Sequence, residues 1–199
     1  MPLEREVSDV LLSSANKLKI DKIHFVIEGV TVDPAGLRQI GKRILSGGIE
    51  VGRAEGATKG PLGAAYTPAL DKLSLSSDLD LTTVIGQAAI VHECTHALVD
   101  MRKYHTTEVV DEMAGYIADA IFMLASHHSG TSPDAASRQI LTAAAGIVKR
   151  LDLINADGKR PTKIIFDNYK DLSAAIHAHP AYQATADNEV KGDGVREKR

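Results

Sequence analysis

Apolar residues recur at helical spacing through two adjacent stretches in the middle of the chain. Leu81, Val84, Ile85 and Ala88 make one stripe, and His92, His96 and Val99 continue it. Val91, Cys94, Leu98 and Met101 form a second strip beside the first, so the helix predicted here is mostly buried and its histidines face the interior. The pattern runs to about Tyr104. His105-Thr106-Thr107 then reads as a turn, with a threonine as N-cap and Glu108 and Asp111 in the first turn of the next helix. Val109, Met113, Tyr116, Ile117, Ala120, Met123 and Leu124 give that second helix its apolar face. The short connection predicts an antiparallel helical hairpin.

Upstream, Ile23 to Ile27 reads as a strand closed by Gly29. Asp33-Pro34 opens a helix as N-cap and N1, with Leu37, Ile40, Ile44 and Leu45 as its stripe and Gly47-Gly48 as its stop. Ile49 to Gly52 is a second short strand, and Gly56 to Gly63 a glycine-rich loop. Ala64-Ala65-Tyr66 and Leu73-Ser74-Leu75 predict a hairpin or two edge strands. Downstream of the hairpin, His127-His128-Ser129-Gly130 ends the second helix. Ser132-Pro133-Asp134 opens a third in the N-cap and N1 pattern, with Ile140, Ala144, Ile147, Val148 and Leu151 as its stripe and Asn155 to Gly158 as its stop. A last short helix spans about Asp167 to His177. The fold class predicted is α+β: a small mixed or antiparallel N-terminal sheet packed on the buried helix, with a mainly helical C-terminal half. One domain is expected over residues 1–186, and the charged, glycine-containing stretch 187–199 is expected to be disordered.

Composition removes several functions. A net charge of -3 provides no basic field for nucleic acid and no polybasic patch for a membrane surface. There is no Trp, and aromatic residues are 4% of the chain, too few for base-stacking platforms. No run is long enough to cross a bilayer. The first residues have neither a basic region nor a long apolar run, which predicts a cytoplasmic protein and leaves export without a cleavable signal open. Cys94 is the single cysteine, so no internal disulfide forms.

The candidate chemistry lies in the buried helix. His92-Glu93-Cys94-Thr95-His96 is an H-E-x-x-H arrangement. Two histidines at i and i+4 fall on one helical face, at a separation that lets two imidazoles share one Zn²⁺. Glu93 then lies beside the metal, where it can take a proton from a metal-activated water. The competing explanation is a pair of core histidines satisfied by hydrogen bonds. A catalytic zinc needs a third protein ligand. In a helical hairpin turning near Tyr104, the residue facing His96 is Glu112, with Asp111 as its nearest rival.

HECTHA followed by DEMAGYIADAIF resembles the zinc site of the gluzincin metallopeptidases, over about residues 62–125. The resemblance implies a zincin-like fold, His92, His96 and Glu112 as zinc ligands, Glu93 as general base, and a peptide or protein substrate. The chain departs from the thermolysin-type pattern in its shorter gap between His96 and Glu112. It also lacks the Asn-Glu-x-x-x-Asp surroundings of the third ligand, having Asp111-Glu112 and then Tyr116 four residues on. The match is therefore to small, compact zincin-like domains. Asp119, two turns from Glu112 on the same helical face, is a candidate to orient a ligand imidazole; Asp100 is a weaker one. Tyr182, His179, His177 and Tyr116 are candidate donors to the oxyanion of a tetrahedral intermediate. Two other classes compete with an enzyme. One is a catalytically inactive zincin-fold binding module that retains a structural zinc. The other is a helical interaction protein in which the motif is coincidental.

Overall fold

The computed structural model describes residues 1–54, 63–129, 134–155 and 160–195. In chain order its elements are α1 (Leu3–Leu12), α2 (Lys17–Ile20), β1 (Phe25–Ile27), β2 (Val30–Val32), α3 (Pro34–Leu45), β3 (Glu50–Ala54) and β4 (Ala64–Thr67). After one 3-10 turn (Pro68–Leu70) come β5 (Lys72–Ser76), α4 (Val84–Met101), β6 (His105–Thr107) and α5 (Glu108–Ala125). The chain continues through α6 (Ala135–Arg150), β7 (Thr162–Ile164), α7 (Phe166–Ala178) and β8 (Glu189–Lys191). The fold is α+β, with three small sheets: β2-β1-β7, β3-β5-β4 and β6-β8. Among the described residues, no helix is long and apolar enough to cross a membrane.

α4 is the centre of the molecule. Thr83 caps its start by accepting the Gly86 N–H at 3.0 Å. Its burial is nearly all-round, from Ala88 to Asp100, because α5, α3, α1 and the β4 edge all pack on it. At its far end Arg102 bonds the Thr31 carbonyl at 2.8 Å and the Asp33 carboxylate at 2.6 Å. Asp33 is at the same time the N-cap of α3, accepting the Gly36 N–H at 2.8 Å as its Asp-Pro pairing predicts.

Several expectations change. β4 and β5 form the expected antiparallel hairpin, but β5 is the middle strand of its sheet, parallel to β3, so of these two strands β4 alone is an edge. The first sheet is not wholly N-terminal, since β7 joins β1 in parallel from far along the chain. His105–Thr107 is a strand, not a plain turn, because Thr106 pairs with Val190. Asp134, not Ser132, caps α6, accepting the Ala136 and Ser137 N–H groups; Ser132-Pro133 lies outside the described residues. So do most of the expected Gly56–Gly63 loop and Ala156 to Gly158. The expected disordered tail is docked as far as Val195. The Ala186 and Asn188 carbonyls accept the Val109 and Glu108 N–H groups at 2.8 and 2.9 Å. These are first-turn donors that a helix cannot satisfy internally. Composition registers the charge of this segment but not its distant partners.

Candidate metal centre

α4 and α5 pair about the position of Tyr104, so His92 meets Tyr116, with ring centroids 4.6 Å apart, and His96 meets Glu112. His92 Nε2 lies 3.4 Å from Glu112 Oε2, and His96 Nε2 lies 3.8 Å from Glu112 Oε1. Ligand atoms of these three residues all lie within 4.8 Å of one another. Tetrahedral zinc with ligands at about 2.0–2.1 Å places them about 3.3 Å apart; the His92–Glu112 pair is at that spacing and the wider pairs must draw in to close the set.

Both histidines turn Nε2 to this point and Nδ1 to an aspartate. His92 Nδ1 is 3.5 Å from Asp119 Oδ2, and Asp119 is fully buried. His96 Nδ1 is 2.9 Å from Asp111 Oδ2. In metal-binding histidines a hydrogen bond from this nitrogen fixes tautomer and orientation; here each Nδ1 has its aspartate close by, and neither makes an aligned hydrogen bond. Asp119 stands where its helical spacing from Glu112 places it. Asp111, considered as a rival ligand, instead faces His96 from the opposite side to Glu112. The residue that pairs across the hairpin brings its sequence neighbour with it, and that was the signal for Asp111.

The charge balance fits a cation. Glu93, Asp111, Glu112 and Asp119 surround two imidazoles, and Glu112 Oε2 and both Asp119 oxygens are buried without an aligned hydrogen bond. Buried carboxylates in such excess need a compensating charge. The imidazoles show the same field. Burial pulls the His92 pKa down, but Asp119 and Glu112 outweigh it and hold it well above its ordinary value. His96 is likewise pushed up to about 9, against its burial, by Asp111 and Glu112. Glu112 is held below the usual carboxylate range by the two imidazoles despite its burial. Asp119 is pushed up to about 6, chiefly by burial. A divalent cation bound here would displace these imidazole protons, since only neutral imidazole is a ligand.

Glu93 is 6% exposed and stands beside the donor set without belonging to it. Its Oε2 accepts the Tyr66 N–H from β4 at 2.7 Å. Burial raises its pKa, with the two histidines opposing. The local sequence around Glu93 contains no sign of the Tyr66 contact.

A cleft of about 540 Å³ opens over these groups. Ala64, Tyr66 and Pro68 form one wall, Glu108 and Asp111 another, and Ala181, Tyr182 and Val190 the C-terminal side. Of the candidate oxyanion donors, only Tyr182 borders it. Its hydroxyl faces the Glu112 carboxylate and lies 3.0 Å from the Tyr116 hydroxyl. Tyr116 is buried behind His92. His179 is directed elsewhere: as the C-cap of α7 it places Nε2 3.3 Å from Ser137 Oγ, and its Nδ1 accepts the Ala181 N–H. His177 bonds the Ser173 carbonyl and Asp187. Asp100 orients neither histidine; it accepts from Tyr66, Asp193 and Gly194. The chain matches no family model, no curated protein and no solved structure.

Proposed function

We propose that this chain is a zinc-dependent hydrolase that cleaves peptide or protein amide bonds, with a zincin-like arrangement of gluzincin type. The observation that carries the reading is the convergence of His92, His96 and Glu112 under an open cleft, with Glu93 beside them and not among them. Zinc bound by that set supplies Lewis acidity toward water and a substrate carbonyl. The chain's own residues do the rest. Glu93 accepts the proton of the attacking water and delivers it to the leaving amine. The Tyr66 N–H holds one oxygen of that carboxylate, leaving the other for the proton, and burial raises its affinity for it. Asp119 and Asp111 orient the two imidazoles. With the Tyr116 hydroxyl donating to it, the Tyr182 hydroxyl keeps its own proton for the carbonyl oxygen as negative charge develops there. β4 is the edge of its sheet and borders the cleft, which favours an extended peptide paired along it.

Elemental analysis of protein purified without chelator tests the site: about one zinc per chain is expected, and none in His92→Ala, His96→Ala or Glu112→Ala. Glu93→Gln keeps the metal and lowers peptide hydrolysis at least about 10²-fold. Absence of metal overturns the enzyme reading. Bound zinc without hydrolysis of a broad peptide library makes the chain a zinc-retaining binding module.

A further inference from the structure

We infer that Asp100 and Tyr66 are positioning residues that couple the docked C-terminal segment to the Glu93 carboxylate, an inference that rests on the hydrolase reading only for its kinetic consequence. Asp100 is 2% exposed and lies about two turns beyond Glu93 on α4. Its Oδ2 accepts the Tyr66 hydroxyl at 2.7 Å. Its Oδ1 accepts the Asp193 and Gly194 N–H groups at 2.9 and 3.1 Å. Three donors from two distant segments therefore meet on one buried carboxylate, where charge-assisted bonds are strong.

Tyr66 closes the path to the site. One end of the residue, its N–H, holds Glu93 Oε2 at 2.7 Å; the other, its hydroxyl, is held by Asp100. Asp71 Oδ1 is a longer second contact of that hydroxyl, at 3.4 Å. Tyr66 thus lies along α4 as a staple whose two ends fix β4 over the motif. β4 is an edge strand with β5 on one side only, so this staple is what sets its height above Glu93. The segment on the far side of Asp100 belongs to the cleft as well. β8 pairs with β6, Val190 borders the cleft, and the Gly192 N–H donates to the Tyr104 carbonyl at 3.0 Å. Glu93, Tyr66, Asp100 and residues 189–194 form one continuous chain of contacts. Releasing the segment frees half of the Asp100 carboxylate, lets it and Tyr66 shift, and loosens the hold on Glu93.

The test is amide hydrogen exchange in the full chain, read at Tyr66, Asp193 and Gly194. Gly192→Ala releases the segment and leaves the Asp100 carboxylate chemically intact, because the added Cβ meets backbone atoms, Asp100 O at 2.7 Å and the Asp100 and Lys103 Cα atoms at 2.9 Å, and the segment must lift away from α4 to relieve them. Tyr66→Phe removes only the hydroxyl link. The coupling is reciprocal. Gly192→Ala therefore speeds exchange at Tyr66 as well as at 193 and 194, and Tyr66→Phe speeds exchange at 193 and 194, each by about three- to tenfold, the loss of one hydrogen bond. Faster exchange at 193 and 194 in Gly192→Ala with an unchanged Tyr66 amide overturns the coupling. The kinetic arm expects Tyr66→Phe to lower kcat by about three- to tenfold with KM and zinc content held. A loss confined to KM, or loss of zinc, refutes the positioning role. The exchange result stands whether or not the chain hydrolyses peptides, so failure of the hydrolase reading and failure of the coupling are different outcomes.

Discussion

Gly115 is the point where α5 approaches the candidate centre most closely, and replacing it with alanine tests the packing of His92. A Cβ built on Gly115 meets His92 Cε1 at 2.8 Å and both ring nitrogens at 2.9 Å. Carbon contacts at the potential minimum are about 3.5–4.0 Å, so ring and helix must separate by about 0.7 Å. The ring has nowhere to go: it is 3% exposed and wedged between Tyr116 and His96, with centroids 4.6 and 4.8 Å away. Glycine to alanine in an open helix interior stabilises by roughly 0.5–1 kcal/mol. Overpacking a core costs about 1–3 kcal/mol, so the net effect of Gly115→Ala is destabilisation by up to about 2.5 kcal/mol. Zinc sites tolerate about 0.2 Å in ligand distance, so the same displacement lowers zinc affinity by about 10- to 100-fold. Gly146 in α6 is the control, because a Cβ there meets nothing within 4 Å. Gly146→Ala should raise Tm by about 1–4 °C. Thermal unfolding with and without zinc, and competition against a chromophoric chelator, read both quantities. If Gly115→Ala raises Tm as Gly146→Ala does and keeps full zinc affinity, the account of His92 as a tightly wedged ligand is wrong.

Asp119→Asn and Asp111→Asn should each lower zinc affinity by about 10- to 100-fold in the same competition assay, leaving the ligands themselves in place; an unchanged affinity in both would show that the two carboxylates do not orient the imidazoles. The Asp33–Arg102 pair sets an acid limit on stability. Burial pushes the Asp33 pKa up, but the Gly36 N–H and Arg102 outweigh it and hold it below 3.8. Its contribution is thus present above the ordinary carboxylate range and lost as pH falls through the lowered folded value. Asp33→Asn, which retains a capping oxygen, should be less stable than wild type by about 1 kcal/mol in urea unfolding at pH 7, with the difference shrinking as pH falls through the ordinary carboxylate range and below it. Phe122, fully buried on α5, should cost about 3–5 kcal/mol as Phe122→Ala, measured in the same titration.

What the sequence determines by itself here is local and periodic. The apolar stripes of α4 and α5 are amphipathic signals strong enough to place both helices. H-E-x-x-H needs only helical geometry to put His92 and His96 on one face and Glu93 beside them. The Asp33-Pro34 start of α3 is likewise a capping pattern complete within a few residues. Even Glu112 was legible, because in a short hairpin the partner of His96 follows from counting about the turn, and Asp119 from counting onward along α5. Tertiary structure decided everything whose partner is distant in sequence. Asp111 and Asp119 meet His96 and His92 only because α5 packs on α4. β6 and β7 are three-residue strands with no periodic signal, and each exists through a partner far along the chain. Asp100, a weak candidate to orient an imidazole, is instead buried under Tyr66 and the 193–194 backbone, which converge on it. The charged C-terminal segment read as disordered for the same reason. Its own residues bury little, and its order comes from hydrogen bonds donated and accepted by β6, α5 and Asp100. His179, a candidate donor by residue type, is instead held by Ser137. Periodicity reports which face of an element turns inward; only the packed chain decides what that face meets.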